Sequence, residues 1–265
     1  MKKRPIEIIF DIGQNFNGRM TNAANLIKIS AECGADAVKF QLYDPRKRKD
    51  FEIHPYKNIL LANFLTKRKL YHLKEQCELN NIEFLCSVFD VDKVDWLEQV
   101  GVERYKVGSK SFYDVQLRER LRQTGKPVIL SHGMAIPYGY EKFLNIDIKQ
   151  WEQTNLIEET IAEWNSFDNI RNLYCVSNYP TTFEDIKEDF IFDYGKLFIE
   201  DFDGFSDHTE GISASLAAMS RGANIIEKHI TMDKTQEGPD HRNSIEPSEM
   251  KLLCKFRDDI EKILY

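Results

Sequence analysis

The 265-residue chain is poor in cysteine, and the five it has are badly placed for bridging. Cys33, Cys77, Cys86, Cys175 and Cys254 are odd in number and dispersed without paired spacing, which excludes a disulfide framework and suits a reducing compartment. Long apolar runs are missing too. Nothing approaches the roughly 18 residues that span a bilayer. The basic start Met1-Lys2-Lys3-Arg4-Pro5 leads straight into a short strand pattern rather than a signal-peptide core. A cytoplasmic protein without a membrane partner is expected. Charge of one sign is not gathered into a block either: the formal net charge of −7 is spread along the chain, which argues against a nucleic-acid partner. The one exception, Arg46-Lys47-Arg48-Lys49, reads first as a solvated loop and second as a loop that draws in an anionic substrate. No Gly-x-Gly-x-x-Gly opens the first helix, so the mark of a dinucleotide-binding sheet is absent.

What is present is alternation. Short apolar runs at Ile6–Ile12, Asp36–Leu42, Ile82–Phe89, Glu103–Ser109, Pro127–Ser131, Asn172–Ser177, Leu197–Ser206 and Asn224–Ile230 read as strands. Between them, Thr21–Cys33, Thr66–Asn80, Asp92–Val100, Val115–Gln123, Glu184–Asp193 and Ile212–Arg221 carry helical periodicity, and Pro247–Leu264 starts a last helix with proline in its first turn. Eight strands alternating with helices predict a (β/α)₈ TIM barrel of the α/β class, one domain over residues 1–265. Two segments exceed a minimal barrel: Tyr43–Leu65 after the second strand, and Ile136–Asn169 after the fifth, with a helix near Asn155–Trp164.

In such a barrel the chemistry sits at the C-terminal strand ends. Read in order, those ends offer Asp11, Lys39 with Gln41, Ser87, Lys106 with Ser109, Ser131 with His132, Ser177 to Tyr179, Ser206 to His208, and Glu227 to His229. A lysine inside a buried strand is costly unless an anion pairs with it, so Lys39 and Lys106 are either members of structural ion pairs or the cationic lining of a pocket. With neighbouring serines they suit a ligand bearing both phosphate and carboxylate. His208 and His229 fall on adjacent strands, where two imidazoles beside carboxylates can hold a divalent metal with open positions; a hydrogen-bonded core role is the alternative. Asp11, Asp207, Glu227 and Asp240 are candidates for orienting ligands, moving protons or binding sugar hydroxyls. His54 and His72 read as surface residues.

These segments, taken together, resemble the sialic acid (N-acetylneuraminate) synthase family. The matching runs are Asp11-Ile12-Gly13-Gln14-Asn15, Gly34-Ala35-Asp36-Ala37-Val38-Lys39-Phe40-Gln41, Tyr105-Lys106-Val107-Gly108-Ser109 and Gly125-Lys126-Pro127-Val128-Ile129-Leu130-Ser131. Further on come Cys175-Val176-Ser177-Asn178-Tyr179-Pro180-Thr181, Gly204-Phe205-Ser206-Asp207-His208-Thr209, Glu227-Lys228-His229 and Gly238-Pro239-Asp240-His241. The resemblance implies a divalent metal on His208 and His229, manganese first, with magnesium or cobalt as substitutes. It implies phosphoenolpyruvate held by Lys39, Ser87, Lys106, Ser109, Ser131, Ser177 and Ser206, and an aldose condensed with it to a 3-deoxy-2-keto sugar acid. Asp11, His208 and His229 are accordingly nominated as catalytic, and Gln41, Tyr179 and Asp240 join the substrate-binding set. A metal-dependent lyase or isomerase acting on a sugar acid, or an inactive sugar-binding homologue, are the competing expectations.

The chain also departs from that family. Asp11 stands for the usual glutamate, Phe16 for a histidine and Val88 for a proline, while Ser111, beside Lys110, occupies the place of a sugar-binding glutamate. The sequence ends at Tyr265, so the family's C-terminal antifreeze-like domain is expected to be absent. An acceptor other than N-acetylmannosamine follows from the rebuilt acceptor side, with the two long segments covering the opening. The oligomeric state stays open, a homodimer included.

Overall fold

A computed structural model describes residues 6–134, 150–190 and 202–264. The eight strands are β1 (Glu7–Gly13), β2 (Ala37–Leu42), β3 (Glu83–Val88), β4 (Tyr105–Val107), β5 (Val128–Ser131), β6 (Ile170–Cys175), β7 (Gly204–Asp207) and β8 (Ile225–His229). All neighbours are parallel, and β8 pairs with β1 to close the barrel in sequence order. The helices are α1 (Met20–Cys33), α2 (Lys57–Asn63), α3 (Lys67–Leu79), α4 (Val91–Val100), α5 (Val115–Arg122), α6 (Gln150–Asn165), α7 (Phe183–Phe190), α8 (Ser213–Ser220) and α9 (Pro247–Leu264). The expected TIM barrel is therefore the observed fold, and among the described residues no helix is long and apolar enough to cross a membrane.

Two apolar layers hold it. The outer one, between strands and helices, takes the outward residues of each strand, such as Phe10, Val38, Phe84, Val107, Leu130, Tyr174, Phe205 and Ile226, against helix residues such as Leu26, Leu70, Leu97, Leu117 and Leu253. Inside the barrel, Ile9, Ala37, Leu85, Ile129, Leu173 and Ile225 form a separate plug. Successive strand residues face opposite sides of a sheet, so one strand serves both layers.

Two strands shift their ends by two residues, and one long connection acquires structure. The fourth strand is shorter than Glu103–Ser109, because Ser109–Ser111 turns into a 3₁₀ helix. The sixth lies two residues early, at Ile170–Cys175 rather than Asn172–Ser177: the Val176 carbonyl leaves the ladder and accepts a hydrogen bond from His208 instead. The long connection Tyr43–Leu65 is not bare loop; it holds two 3₁₀ turns and α2. Expectations on residues 135–149 and 191–201, including the starts of the second long segment and of the seventh strand, lie outside the described residues.

Candidate active site

Strand parity builds the site. Counting by twos from the plug, β1 passes from Ile9 to Asp11, β2 from Ala37 to Lys39 and Gln41, and β3 from Leu85 to Ser87. On the far side Ile129 leads to Ser131, Leu173 to Cys175, and Ile225 to Glu227 and His229. Lys106 pairs in register with Ser87, and Ser206 with Glu227, which brings β4 and β7 into the same polar layer. The layer directly above the apolar plug is thus ionic. The residues nominated as catalytic or substrate-binding, from Asp11 to Asp240, all line one cavity of about 510 Å³ at the C-terminal strand ends.

At its floor, Lys39 lies 2.8 Å from Asp11 and 3.1 Å from Glu227. Glu227 also lies 3.5 Å from Lys106 and accepts a 2.7 Å hydrogen bond from Ser206 Oγ. Lys106 Nζ donates to Ser131 Oγ at 2.6 Å. Both readings of the lysines are therefore realised: they belong to ion pairs, and they line the cavity. Their environments differ. Desolvation alone would depress Lys39, yet Asp11 and then Glu227 outweigh it and hold the ammonium well above its ordinary range. For Lys106 desolvation wins, and its pKa falls below the usual lysine value. Glu227 is kept an anion despite desolvation by Lys106 and Lys39. This glutamate is the hub of the floor, and the sequence marked it only as one carboxylate among four.

Above the floor stand the two imidazoles, ring centroids 5.9 Å apart. His208 Nδ1 hydrogen-bonds the Val176 carbonyl at 2.8 Å, which makes Nδ1 the donor and leaves the Nε2 lone pair facing inward. Desolvation, then repulsion from His229, lowers the His208 pKa to about 4, so the ring is neutral near neutral pH. His229 Nε2 lies 3.4 Å from Asp11 Oδ2, and the two residues pair across β1 and β8. The Tyr179 ring lies 4.2 Å from that of His208, tilted by 38°. Gly13, at φ +50°, lets β1 turn beneath these groups; a Cβ there would sit 3.2 Å from both the Gln41 amide and the His229 ring. Gly133 serves the opposite wall: a Cβ would come 2.5 Å from Ser177 Oγ and 2.6 Å from Cys175 Sγ. Its N–H donates to Ser109 Oγ at 3.1 Å.

Among the described residues no group of three or more His, Cys, Asp or Glu converges as a coordination shell. Two buried polar atoms nonetheless lack hydrogen-bond partners between the imidazoles and the floor: Asp11 Oδ1 and His229 Nδ1. A backbone-oriented imidazole, a second imidazole and an adjacent carboxylate fit a divalent ion held by few protein ligands, with positions left for substrate.

One nominated carboxylate faces elsewhere. Asp207 points outward, away from the cavity, where Lys228 (3.1 Å), Ser215 Oγ (2.5 Å) and the Thr209 N–H (2.8 Å) satisfy it within the strand–helix layer. Parity requires this, since its neighbours Ser206 and His208 face in. His132 is likewise a core residue, bound to Asn172 Oδ1 at 2.8 Å and packed between Phe112 and Phe202. His72 is exposed as expected, while His54 is half-buried and accepts from the Tyr56 N–H. At the cavity mouth Tyr43, Arg48, Phe89, Asp90 and Lys110 converge from three separate loops; sequence reasoning missed Phe89 and Asp90 there. The basic run, the long segment Tyr43–Leu65 and Lys110 beside Ser111 were the signals there.

Comparison with known proteins bears on this geometry. The NeuB family sequence model matches residues 26–264. The chain is 33% identical to the N,N'-diacetyllegionaminic acid synthase of Campylobacter jejuni, covering 97% of this chain and 77% of that one. It is 30% identical to the human N-acetylneuraminate-9-phosphate synthase, over 99% of this chain and 72% of the other. The solved structure of the N-acetylneuraminic acid synthetase of Leptospira borgpetersenii serovar Hardjo-bovis, in complex with citrate, superposes with a TM-score of 0.78 at 29% identity, covering 99% of this chain and 86% of that one. A barrel of this topology, matched over nearly its whole length, belongs to the NeuB family as a sialic acid synthase-like enzyme.

Proposed function

We propose that the protein condenses phosphoenolpyruvate with an aldose, giving a 3-deoxy-2-keto sugar acid and phosphate, and that the acceptor is not N-acetylmannosamine. The observation that carries this reading is the single cavity in which two strand amines, a ring of serine hydroxyls and two inward imidazoles face one another. Phosphoenolpyruvate has a phosphate and a carboxylate on one carbon, and Lys39 and Lys106 with Ser87, Ser109, Ser131, Ser177 and Ser206 supply donors for both. Ser87 and Ser177 have buried hydroxyls without hydrogen-bond partners, as expected of groups that bind ligand.

His208 and His229 would hold the divalent ion, manganese for preference, which when bound supplies Lewis-acid polarisation of the aldehyde oxygen. The chain's own residues do the rest. Lys106, with its pKa lowered by desolvation, and Lys39, fixed as an ammonium, balance the donor's negative charge. Carbon three of phosphoenolpyruvate bonds to the aldehyde carbon, and water adds at carbon two, where Asp11 Oδ1 accepts one of its protons; that proton balances the one taken up by the aldehyde oxygen. The carbon–oxygen bond to phosphate then breaks as the ketone forms, and the second water proton leaves with the phosphate. Gln41, Tyr179 and Asp240 face the acceptor.

The test is consumption of phosphoenolpyruvate by manganese-loaded protein against aldoses of four to six carbons. Phosphate release with at least one of them is expected, with a rise in melting temperature on adding phosphoenolpyruvate alone. Silence across the panel without any thermal shift would remove the proposal; a shift without turnover would leave an inactive binding homologue.

A further inference from the structure

Behind the cavity lies a buried ion pair that the condensation itself does not touch. Asp207 and Lys228 are register partners on β7 and β8, 3.1 Å apart, and both side chains are fully buried. Each stands next to an imidazole. His208 follows Asp207 and His229 follows Lys228, so this outward pair sits directly behind the two inward rings.

The pair is the centre of a closed knot. Asp207 Oδ1 accepts from the Thr209 N–H at 2.8 Å and from Thr209 Oγ1 at 2.7 Å. Its Oδ2 accepts from Ser215 Oγ, on α8, at 2.5 Å. Lys228 Nζ donates to the Thr209 carbonyl at 2.5 Å. Thr209 is thus held by its N–H, its hydroxyl and its carbonyl. His208 lies between Asp207 and Thr209, and the carboxylate bond to the Thr209 N–H closes a turn around it. The His208 carbonyl accepts from the Thr181 N–H, and the His229 carbonyl from the Ile245 N–H, both at 2.9 Å.

A buried pair is a poor source of stability, because desolvating two charges offsets most of their attraction and apolar replacements are often neutral or better. What this knot supplies is geometry. Lys228 binds the residue after His208, and Asp207 binds the residue before His229, so the two ring-bearing backbones cannot shift independently. Resting on the metal reading above, we infer that Asp207 and Lys228 are positioning residues: their pair fixes how His208 and His229 face each other, and with it the affinity for the divalent ion. Neither touches substrate or ion. Lys39, Lys106 and Ser131 lie on β2, β4 and β5, away from the knot, so donor binding should depend on it little.

The experiment removes both charges together, with Asp207→Asn and Lys228→Met in one protein, so that no unpaired charge is left and the fold should survive. Manganese titration followed by electron paramagnetic resonance should show a dissociation constant raised about tenfold. At saturating manganese the KM for phosphoenolpyruvate should stay within about twofold of the parent value. Arg104→Met, which opens an ion cluster at the other end of the barrel, is the control for lost stability and should keep the manganese affinity. Unchanged affinity in a double variant that unfolds cooperatively overturns the inference. Should the double variant not fold, Thr209→Val deletes the hydroxyl bond while sparing both charges, and about threefold weaker manganese binding is expected; no change there overturns the inference too. If the parent protein binds no manganese, the metal reading falls and ring orientation decides separately. Nuclear magnetic resonance of isotope-labelled histidine should then find the His208 Nδ1–H, bonded to Val176, as one fixed tautomer in the parent and as an average in the variants. A tautomer fixed in all of them overturns the positioning role as well.

Discussion

Both ends of the barrel are charged, and they are charged in opposite ways. At the N-terminal end Arg104 reaches inward and divides its guanidinium between Glu7, whose Oε1 and Oε2 it contacts, and Glu83, bonded at 2.9 and 2.8 Å. One planar cation meets two carboxylates, each held by two donors. At the C-terminal end two lysines, two acids and two imidazoles crowd together, and Asp11 Oδ1, Ser87 Oγ, Ser177 Oγ and His229 Nδ1 are left without partners. The plug of Ile9, Leu85, Ile129 and Leu173 separates the two clusters. A closed cluster stabilises a fold; an incomplete one lowers stability until a ligand completes it. The asymmetry locates function at the end whose polar groups are left without partners.

The sharpest way to break this contrast is at Lys106. Removing its ammonium with Lys106→Met leaves Glu227 still paired with Lys39, so the fold should survive. The donor's anion loses one of its two lysines. Turnover of phosphoenolpyruvate should fall about 10²–10³-fold, as for deletion of a preorganised charge-stabilising donor. Steady-state kinetics on refolded, monodisperse protein measures it; a loss under tenfold would move the donor site elsewhere.

Ligands test the same contrast without mutation. If the top cluster is incomplete, phosphoenolpyruvate with manganese at about 100 times its Kd should add about 2.7 kcal/mol. That corresponds to a melting temperature roughly 6 °C higher for a chain of this size. A chelator should reverse the metal-dependent part. Of comparable size and opposite sign is Arg104→Met, which strands Glu7 and Glu83 and should cost about 2 kcal/mol of stability while kcat/KM stays within about twofold. Denaturant unfolding and kinetics on one preparation separate the two readouts. An Arg104 variant that lost turnover while remaining fully folded would show that the ends communicate.

Much of this architecture was legible in the sequence because it rests on a period of two. Once Ile9 and Ile225 are taken as inward, Asp11, Glu227 and His229 must follow, and Lys39 and Lys106 could not be idle in buried strands. The same rule, applied strictly, would have turned Asp207 and Lys228 outward, since they alternate with Ser206, His208 and Glu227. Their 3.1 Å pair lies behind the site rather than in it. The sixth strand shifted because Val176 is as β-prone as its neighbours, and nothing local says that its carbonyl will serve His208. The convergence at the cavity mouth was only partly legible for a different reason: Arg48 and Lys110 are distant in sequence and belong to connections whose path is set by tertiary packing, not by periodicity.

The smallest effect belongs to the N-terminal face and probes how far ordinary surface electrostatics reach. Glu98 receives Lys126 Nζ at 2.8 Å and Tyr105 Oη at 2.5 Å. Desolvation would raise its pKa, but these two partners together hold it below the ordinary glutamate value. A carboxylate depressed in the fold contributes stability above its unfolded pKa of about 4.3, and that contribution fades as pH falls through the lower folded value. Glu98→Gln should therefore cost under about 1 kcal/mol at pH 7, because the pair is nearly one-third exposed and screened. The difference from the parent protein should close as the pH is lowered below about 4. Urea midpoints at a series of pH values measure it, and turnover should not follow. If activity tracked the same titration, the division between a structural and a catalytic end would need redrawing from this residue upward.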